Sequence, residues 1–232
     1  MRICTITVRA GSKGVPGKNL RLVAGRPLFG HSVVQAAATG LFDEVVVSSD
    51  SEEILALAPS FGATGTVRRP PEMATDTAGK VPAIAHAVRT TEERTGHHFD
   101  VCVDLDATSP LRTLDDIRTA VRMFEASDAE SLITGAEARR NPYFNLVEEK
   151  PDGTVAVSKQ PEDAVLRRQD APRCFDMNGS IYVWRRAALL EDQVVFFPST
   201  ILYEMPPERS IDVDSEFDFR SVEWLMGQRD DL

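Results

Sequence analysis

ICTITVRAGSKGVPGKN, residues 3–19, runs from a β-branched apolar stretch straight into a turn dense in glycine and positive charge. The stretch over residues 3–8 stops at the glycines, as a buried strand ending in a loop does. Gly11, Gly14 and Gly17 let the backbone come close to a ligand, and Arg9, Lys13 and Lys18 gather cations beside it. The chain around them is acidic: 36 Asp and Glu against 26 Lys and Arg give a formal charge of -10. A glycine turn whose N–H groups and cations converge suits a polyphosphate. The spacing matches neither common phosphate motif, because five residues separate Gly11 from Gly17, Lys18 is followed by Asn19, and the pattern is G-x-x-G-x-x-G. On the residues alone, a nucleotide loop and an ordinary solvated loop both remain open.

Working outward, the chain alternates strand and helix patterns. Residues 28–40 read as a helix, Val45 to Val47 as a strand ending near Asp50, and residues 51–62 as a helix with a Ser and Glu start. Residues 63–70 read as a strand, residues 77–96 as a helix entered past Pro82, and FDVCVDLDATSPLRT (99–113) as a strand then a loop. LDDIRTAVRMFEAS (114–127) closes the series as a helix. This rhythm predicts an α/β fold with a mostly parallel sheet, whose ligands sit beyond the carboxyl ends of the strands. The glycine turn, Asp50, Arg69 and the DATSPLR loop would then share one edge. Residues 139–177 break the rhythm with short alternating strands, prolines and an Asp152-Gly153 turn, which predicts a β-rich insertion in an otherwise single domain over 1–232.

Composition narrows the function classes. A net charge of -10 disfavours nonspecific nucleic-acid binding. No segment has the roughly 18 apolar residues of a membrane helix, and the N-terminus lacks a signal-peptide pattern, so a soluble, cytoplasmic protein is expected. Cys4, Cys102 and Cys174 are widely spaced and indicate neither a disulfide framework nor a zinc site. The four histidines have no metal-ligand spacing. Asp212 and Asp214 in IDVD lie two apart, so an extended backbone would turn both to one face, a workable pair of oxygen ligands for Mg²⁺. Acidic pairs before a helix also commonly serve as caps. Asp50 reads best as a cap for the helix beginning near Ser51.

RAGSKGVPGKNL resembles the signature of the acylneuraminate cytidylyltransferases, the CMP-sialic acid and CMP-nonulosonic acid synthetases, with Arg9, Ser12, Lys13, Gly14, Lys18 and Asn19 matching. VSSDSEEI, RPPEMATDTA, DATSPLR, RRQDAPRCFDMNGSIYV and SIDVDSEFDF resemble further blocks of the family, in family order across residues 3–219. The resemblance implies a Rossmann-like, three-layer nucleotide-diphospho-sugar transferase fold and transfer of CMP from CTP to the anomeric hydroxyl of a nonulosonic acid, with release of pyrophosphate. It implies that Arg9, Ser12, Lys13, Lys18, Asn19 and Arg69 bind the nucleotide, with Lys18 at the α-phosphate. Asp212 and Asp214 would hold a catalytic Mg²⁺, and the proton of the attacking hydroxyl would go to Asp214 or to a water on the metal. Asp106, Thr108, Ser109, Arg112, Asn178 and Arg168 would face the acceptor sugar. For Arg112 the alternative is an internal bond holding its own loop, and for Asn178 a turn. The insertion resembles the family's dimerisation subdomain, which implies a homodimer in which Arg167 and Arg168 could reach a partner's site.

One departure bears on the acceptor: the family members compared have Gln-Pro before Thr-Ser-Pro-Leu-Arg, whereas this chain has Asp106-Ala107. A carboxylate accepts hydrogen bonds and cannot donate them as an amide does. A sialic-acid relative such as legionaminic acid is therefore expected as acceptor. The competing readings are the same chemistry on another sugar acid or nucleotide, and a non-catalytic nucleotide-binding regulator.

Overall fold

The computed structural model describes residues 1–11, 14–75, 77–160 and 167–228. In chain order the elements are β1 (Arg2–Val8), β2 (Leu22–Val23), β3 (Arg26–Pro27), α1 (Leu28–Thr39), β4 (Glu44–Ser49), α2 (Glu52–Leu57), β5 (Gly65–Arg68), α3 (Lys80–Thr95), β6 (Val101–Leu105) and α4 (Leu114–Glu125). After these come β7 (Ser131–Glu137), β8 (Val147–Glu149), β9 (Val155–Val157), β10 (Phe175–Arg185), β11 (Ile201–Glu204) and α5 (Glu216–Met226). Seven strands form one sheet in the order β11-β7-β10-β6-β1-β4-β5. Within it β1 pairs parallel with both β4 and β6, and β10 runs antiparallel to β6 and β7. The chain leaves β1 toward β4 and β5 and then returns to β1's other side with β6. The order therefore reverses beside β1, and the crevice for a ligand opens where β1 and β6 end.

The alternation within β1 explains how the sheet is covered. Cys4, Ile6 and Val8 pack with Phe29 and Val33 of α1 and with Ile117, Val121 and Phe124 of α4. Ile3 packs on the opposite face with Val81, Ile84 and Val88 of α3 and with Trp184. On that second face the next inward positions are Thr5 and Thr7, so the α3 side turns polar toward the strand's carboxyl end. A third cluster, with Val15, Val23, Leu28, Leu111, Val213 and Phe219, ties the glycine turn to α5. No helix among the described residues is long and apolar enough to cross a membrane.

Three local expectations change. α3 begins at Lys80 rather than past Pro82, because a proline in the first helical turn gives up an N–H that has no partner there anyway. Asp50 is not the cap of α2: Ser51 Oγ accepts from the Ile54 N–H, and Asp50 Oδ1 instead accepts from the Ala10 N–H at 2.8 Å, bracing the start of the glycine turn. Where the sequence predicts an insertion through 177, Phe175–Met177 already pair with β7. Among the described residues, the strands before them form the β8–β9 hairpin, with Asp152 and Gly153 in its turn.

Candidate active site

A cavity of about 420 Å³ opens at the carboxyl edge of β1 and β6, a volume ordinary for a small-molecule site. Of the sequence-expected residues, Arg9, Lys18, Asn19, Arg69, Asp106, Thr108, Asp212 and Asp214 line it. The first of these follow β1. Arg9 donates to the Thr75 carbonyl at 3.0 Å, and Asn19 Nδ2 donates to the Arg9 carbonyl at 3.0 Å. Gly17 at φ 64 turns the chain into the short helix of Lys18–Leu20 that carries both Lys18 and Asn19. Ser12 and Lys13 lie outside the described residues.

The aspartate segment faces this turn across the cavity. Val213 is fully buried and its N–H donates to the Thr108 carbonyl at 3.0 Å, so Asp212 and Asp214 on either side of it are both turned to the cavity. The α5 cap is Ser215 with Asp218 in a capping box, which leaves Asp214 outside that role. Lys18 Nζ donates to the Val213 carbonyl and stands 3.3 Å from Asp214 Oδ1. Gly14 is obligatory here, since a Cβ on it would overlap the backbone carbonyl of Asp214. Burial pushes the Asp212 carboxyl above the usual carboxylate range, and the neighbouring Asp106 and Asp214 charges add to that push while Thr108 and Lys18 oppose it.

Among the described residues that line the cavity, Asn19 Oδ1, Arg69 Nε and Asp212 Oδ1 are buried without a hydrogen-bond partner. Polar atoms are rarely left so unless a ligand or ion completes them. Two carboxylates, one with an orphaned oxygen, fit Mg²⁺, which is commonly held by one or two carboxylates with water and phosphate oxygens filling the rest. Asp212 and Asp214 therefore suit that ion, although no group of three or more metal-ligating side chains occurs among the described residues.

The DATSPLR loop divides between cavity and interior. Asp106 and Thr108 reach the cavity, whereas Ser109 and Arg112 are fully buried. Arg112 donates to Ser180 Oγ at 2.9 Å, to Ser32 Oγ at 2.9 Å, to Gln35 Oε1 at 3.3 Å and to the Asp106 carbonyl. Its guanidinium is pushed down to about 10 by burial, against the pull of Asp106. Ser109 Oγ donates to the Asn178 carbonyl at 3.2 Å. Asn178 is buried too: its Oδ1 accepts from Thr134 Oγ1 at 2.6 Å and its Nδ2 donates to Ser210 Oγ at 2.9 Å, at an irregularity in β10. Asn178 and Arg168 line an adjoining cavity of about 400 Å³ that shares Asp212 with the first. Arg168 donates to the Ala138 carbonyl of its own chain at 2.8 Å, and Arg167 pairs with Asp170 at 2.7 Å.

Sequence reasoning missed Lys80. Its ammonium lies 2.7 Å from Asp104 Oδ2 and 2.6 Å from Asp106 Oδ2, 5.0 Å above the Tyr182 ring, on the cavity wall. Burial would lower its pKa, but the Asp104 and Asp106 charges outweigh that and raise it. Burial likewise works against the Asp106 carboxylate, yet the Lys80 charge and hydrogen bonds from Lys80 and Thr108 hold it down at about 2. The missed signal was VDLD: Asp104 and Asp106 project to one face of a buried strand and its end, and a buried carboxylate demands a cation.

Comparison with known proteins identifies the family. The family model described as cytidylyltransferase matches residues 3–218. The chain is 42% identical over 227 residues to the Post-translational flagellin modification protein B of Campylobacter coli, covering 98% of this chain and 95% of that protein. It is 41% identical over 224 residues to the CMP-N,N'-diacetyllegionaminic acid synthase of Campylobacter jejuni, covering 97% and 94%. In fold it is similar to a solved CMP:2-keto-3-deoxy-manno-octonic acid synthetase complexed with CTP, with a TM-score of 0.72, 17% identity and 98% of each chain covered. A match over nearly the whole chain, joined to a cation-lined turn that faces two aspartates across one cavity, means that the chain belongs to the cytidylyltransferase family.

Proposed function

We propose that this enzyme transfers CMP from CTP to the anomeric hydroxyl of a nine-carbon nonulosonic acid and releases pyrophosphate, with N,N'-diacetyllegionaminic acid the favoured acceptor. The observation that carries this reading is the single cavity in which Arg9, Lys18 and Arg69 meet Asp212 and Asp214. The relative named as a CMP-N,N'-diacetyllegionaminic acid synthase, 41% identical over nearly the full length, supports the choice of acceptor.

In this reading Arg9 and Lys18 neutralise the triphosphate, and Lys18 meets the charge that grows on the α-phosphate as the hydroxyl attacks it in line with the leaving pyrophosphate. Asn19 and Arg69 complete the nucleotide's contacts through atoms otherwise left unpaired. Asp212 and Asp214 would hold Mg²⁺, which when bound supplies positive charge at the phosphate oxygens and polarises the phosphoryl group. The acid occupies the adjoining cavity beside Asp212, with Arg168 near the acid's carboxylate and Asp214 exposed enough to accept a proton. Ser12 and Lys13 join the phosphate set as sequence-based assignments.

The enzyme further acts as a cytoplasmic homodimer in this reading. Leu146, Val147 and Val155 on the β8–β9 hairpin and just before it are exposed apolar residues suited to a second copy, and the unpaired Cys4, Cys102 and Cys174 suit a reducing compartment. Pyrophosphate release from CTP and Mg²⁺ with N-acetylneuraminic, N,N'-diacetyllegionaminic, pseudaminic and the eight-carbon acid tests the function. Release with a nine-carbon acid supports it. Tight CTP binding with no release from any of them would favour a nucleotide-binding regulator.

A further inference from the structure

Lys80 is absent from every role described so far, although it sits on the cavity wall between two carboxylates. An ammonium has three N–H donors. Asp106 accepts from one of them, and the fully buried Asp104 is ion-paired with the ammonium at 2.7 Å. The side chain nevertheless remains 31% exposed and lines the cavity, so one donor direction is left to a ligand. Asp106 is similarly half used. Its Oδ1 accepts both the N–H of Thr108 at 3.1 Å and its hydroxyl at 3.0 Å, while Oδ2 accepts from Lys80 alone among the described residues. A carboxylate oxygen has room for a second hydrogen bond.

The wall thus offers one donor and one acceptor whose heavy atoms are 2.6 Å apart. The Lys80 charge is already met by Asp104 and Asp106, so the pair offers a ligand hydrogen bonds rather than an unbalanced charge. A neutral ligand that accepts at one atom and donates at its neighbour fits, and adjacent hydroxyls of a sugar have a similar spacing. Position narrows the choice. Asp106 is linked to Thr108, whose carbonyl accepts from the Val213 N–H between Asp212 and Asp214, so the pair lies beside the aspartates that flank the reacting phosphate rather than at a distal base subsite.

We propose that Lys80 and Asp106 together recognise a vicinal diol of a bound sugar, Lys80 donating to one hydroxyl oxygen and Asp106 accepting from the next. Lys80 is then a specificity-determining residue, and Asp104 is the buried counter-charge that fixes its position. The diol has two sources, the ribose of CTP and the hydroxyls of the acid; the assignment rests on the CMP-transfer reading for the second source only.

The test uses Asp106→Asn and the double variant Lys80→Met with Asp104→Asn, which removes the fully buried Asp104 charge together with the cation paired to it. Calorimetry compares CTP, 2′-deoxy-CTP and UTP, and steady-state kinetics gives KM and kcat for the acid. If the ribose is read, wild type binds CTP about tenfold more tightly than 2′-deoxy-CTP and both variants lose that difference. If the acid is read, CTP affinity stays within about twofold while the KM for the acid rises about tenfold with a smaller change in kcat. Folded variants with unchanged CTP to 2′-deoxy-CTP ratio and unchanged KM would overturn the proposal. So would a change confined to the CTP to UTP preference, which would make the pair a base reader. Should wild type release no pyrophosphate with any acid, the transfer reading fails by itself, and the nucleotide comparison alone then decides: loss of the ribose discrimination supports the pair, and none overturns it.

Discussion

The loops that follow β1 and β6 leave neighbouring strands at the same sheet edge, yet they use their cations in opposite ways. The first sets Arg9 and Lys18 on the cavity wall, held by backbone carbonyls. The second folds Arg112 into the interior, where it donates to Ser32, Gln35, Ser180 and the Asp106 carbonyl. Glycine makes the first loop an open cradle. A run of Ala107, Ser109 and Leu111, each at most 2% exposed, makes the second a plug that shows only Asp106 and Thr108 to the ligand. Two arginine-bearing or lysine-bearing motifs at one edge can therefore differ in kind: one presents charge to the cavity and the other fixes the geometry of its wall.

Substitutions should separate these two uses. Lys18→Met should lower kcat for pyrophosphate release about 10²–10³-fold, the usual cost of losing a donor to transition-state charge. Its thermal midpoint should stay within about 3 °C of wild type, because Lys18 lines the cavity and belongs to no apolar cluster. Arg112→Met should do the reverse. It strands buried acceptors and removes a fully buried network, so it should cost about 3 kcal/mol, or roughly 6–12 °C for a chain of this size, while the folded fraction keeps kcat within about tenfold. Paired thermal melts and single-turnover kinetics read both, and equal losses of stability in the two variants would erase the distinction.

Acid titration sharpens the contrast within the second loop. Asp106 is held at about 2 in the folded chain against a usual value near 3.9, so the stability it contributes is complete above about pH 4 and is lost as pH falls through about 2. Asp106→Asn should flatten that part of the acid unfolding curve, measured by circular dichroism. The smallest effect on folding is expected far from both loops: Val155→Asp on the exposed hairpin should change stability by less than about 0.5 kcal/mol. It should nevertheless lower the mass seen by sedimentation from dimer to monomer, and an unchanged dimer would remove the hairpin from the interface.

The contrast also marks what the sequence made legible. Alternation and helix starts located the sheet, and the paired spacing of Asp212 and Asp214 around Val213 survived because an apolar residue between two aspartates has only one way to turn. For Arg112 the sequence leaves a ligand-facing and an internal role both open, because nothing local distinguishes an arginine that faces a ligand from one whose acceptors, Ser32 and Ser180, lie in distant segments. Asp50 was read as a cap from its position before a helix, while its actual partner is the Ala10 N–H on a neighbouring strand's exit. Lys80 was hidden for the same reason. It follows a glycine at an ordinary helix start, and only the fold brings it to Asp104 and Asp106.

Under the proposed function, the open loop and the aspartate segment act on one triphosphate. Phosphorus NMR of CTP mixed with N,N'-diacetyllegionaminic acid, Mg²⁺ and the enzyme tests it most directly. Equal amounts of a CMP-sugar phosphodiester and pyrophosphate are expected, abolished by chelating the metal; CTP that binds but stays intact, or that yields CDP and phosphate instead, would overturn the shared-triphosphate reading.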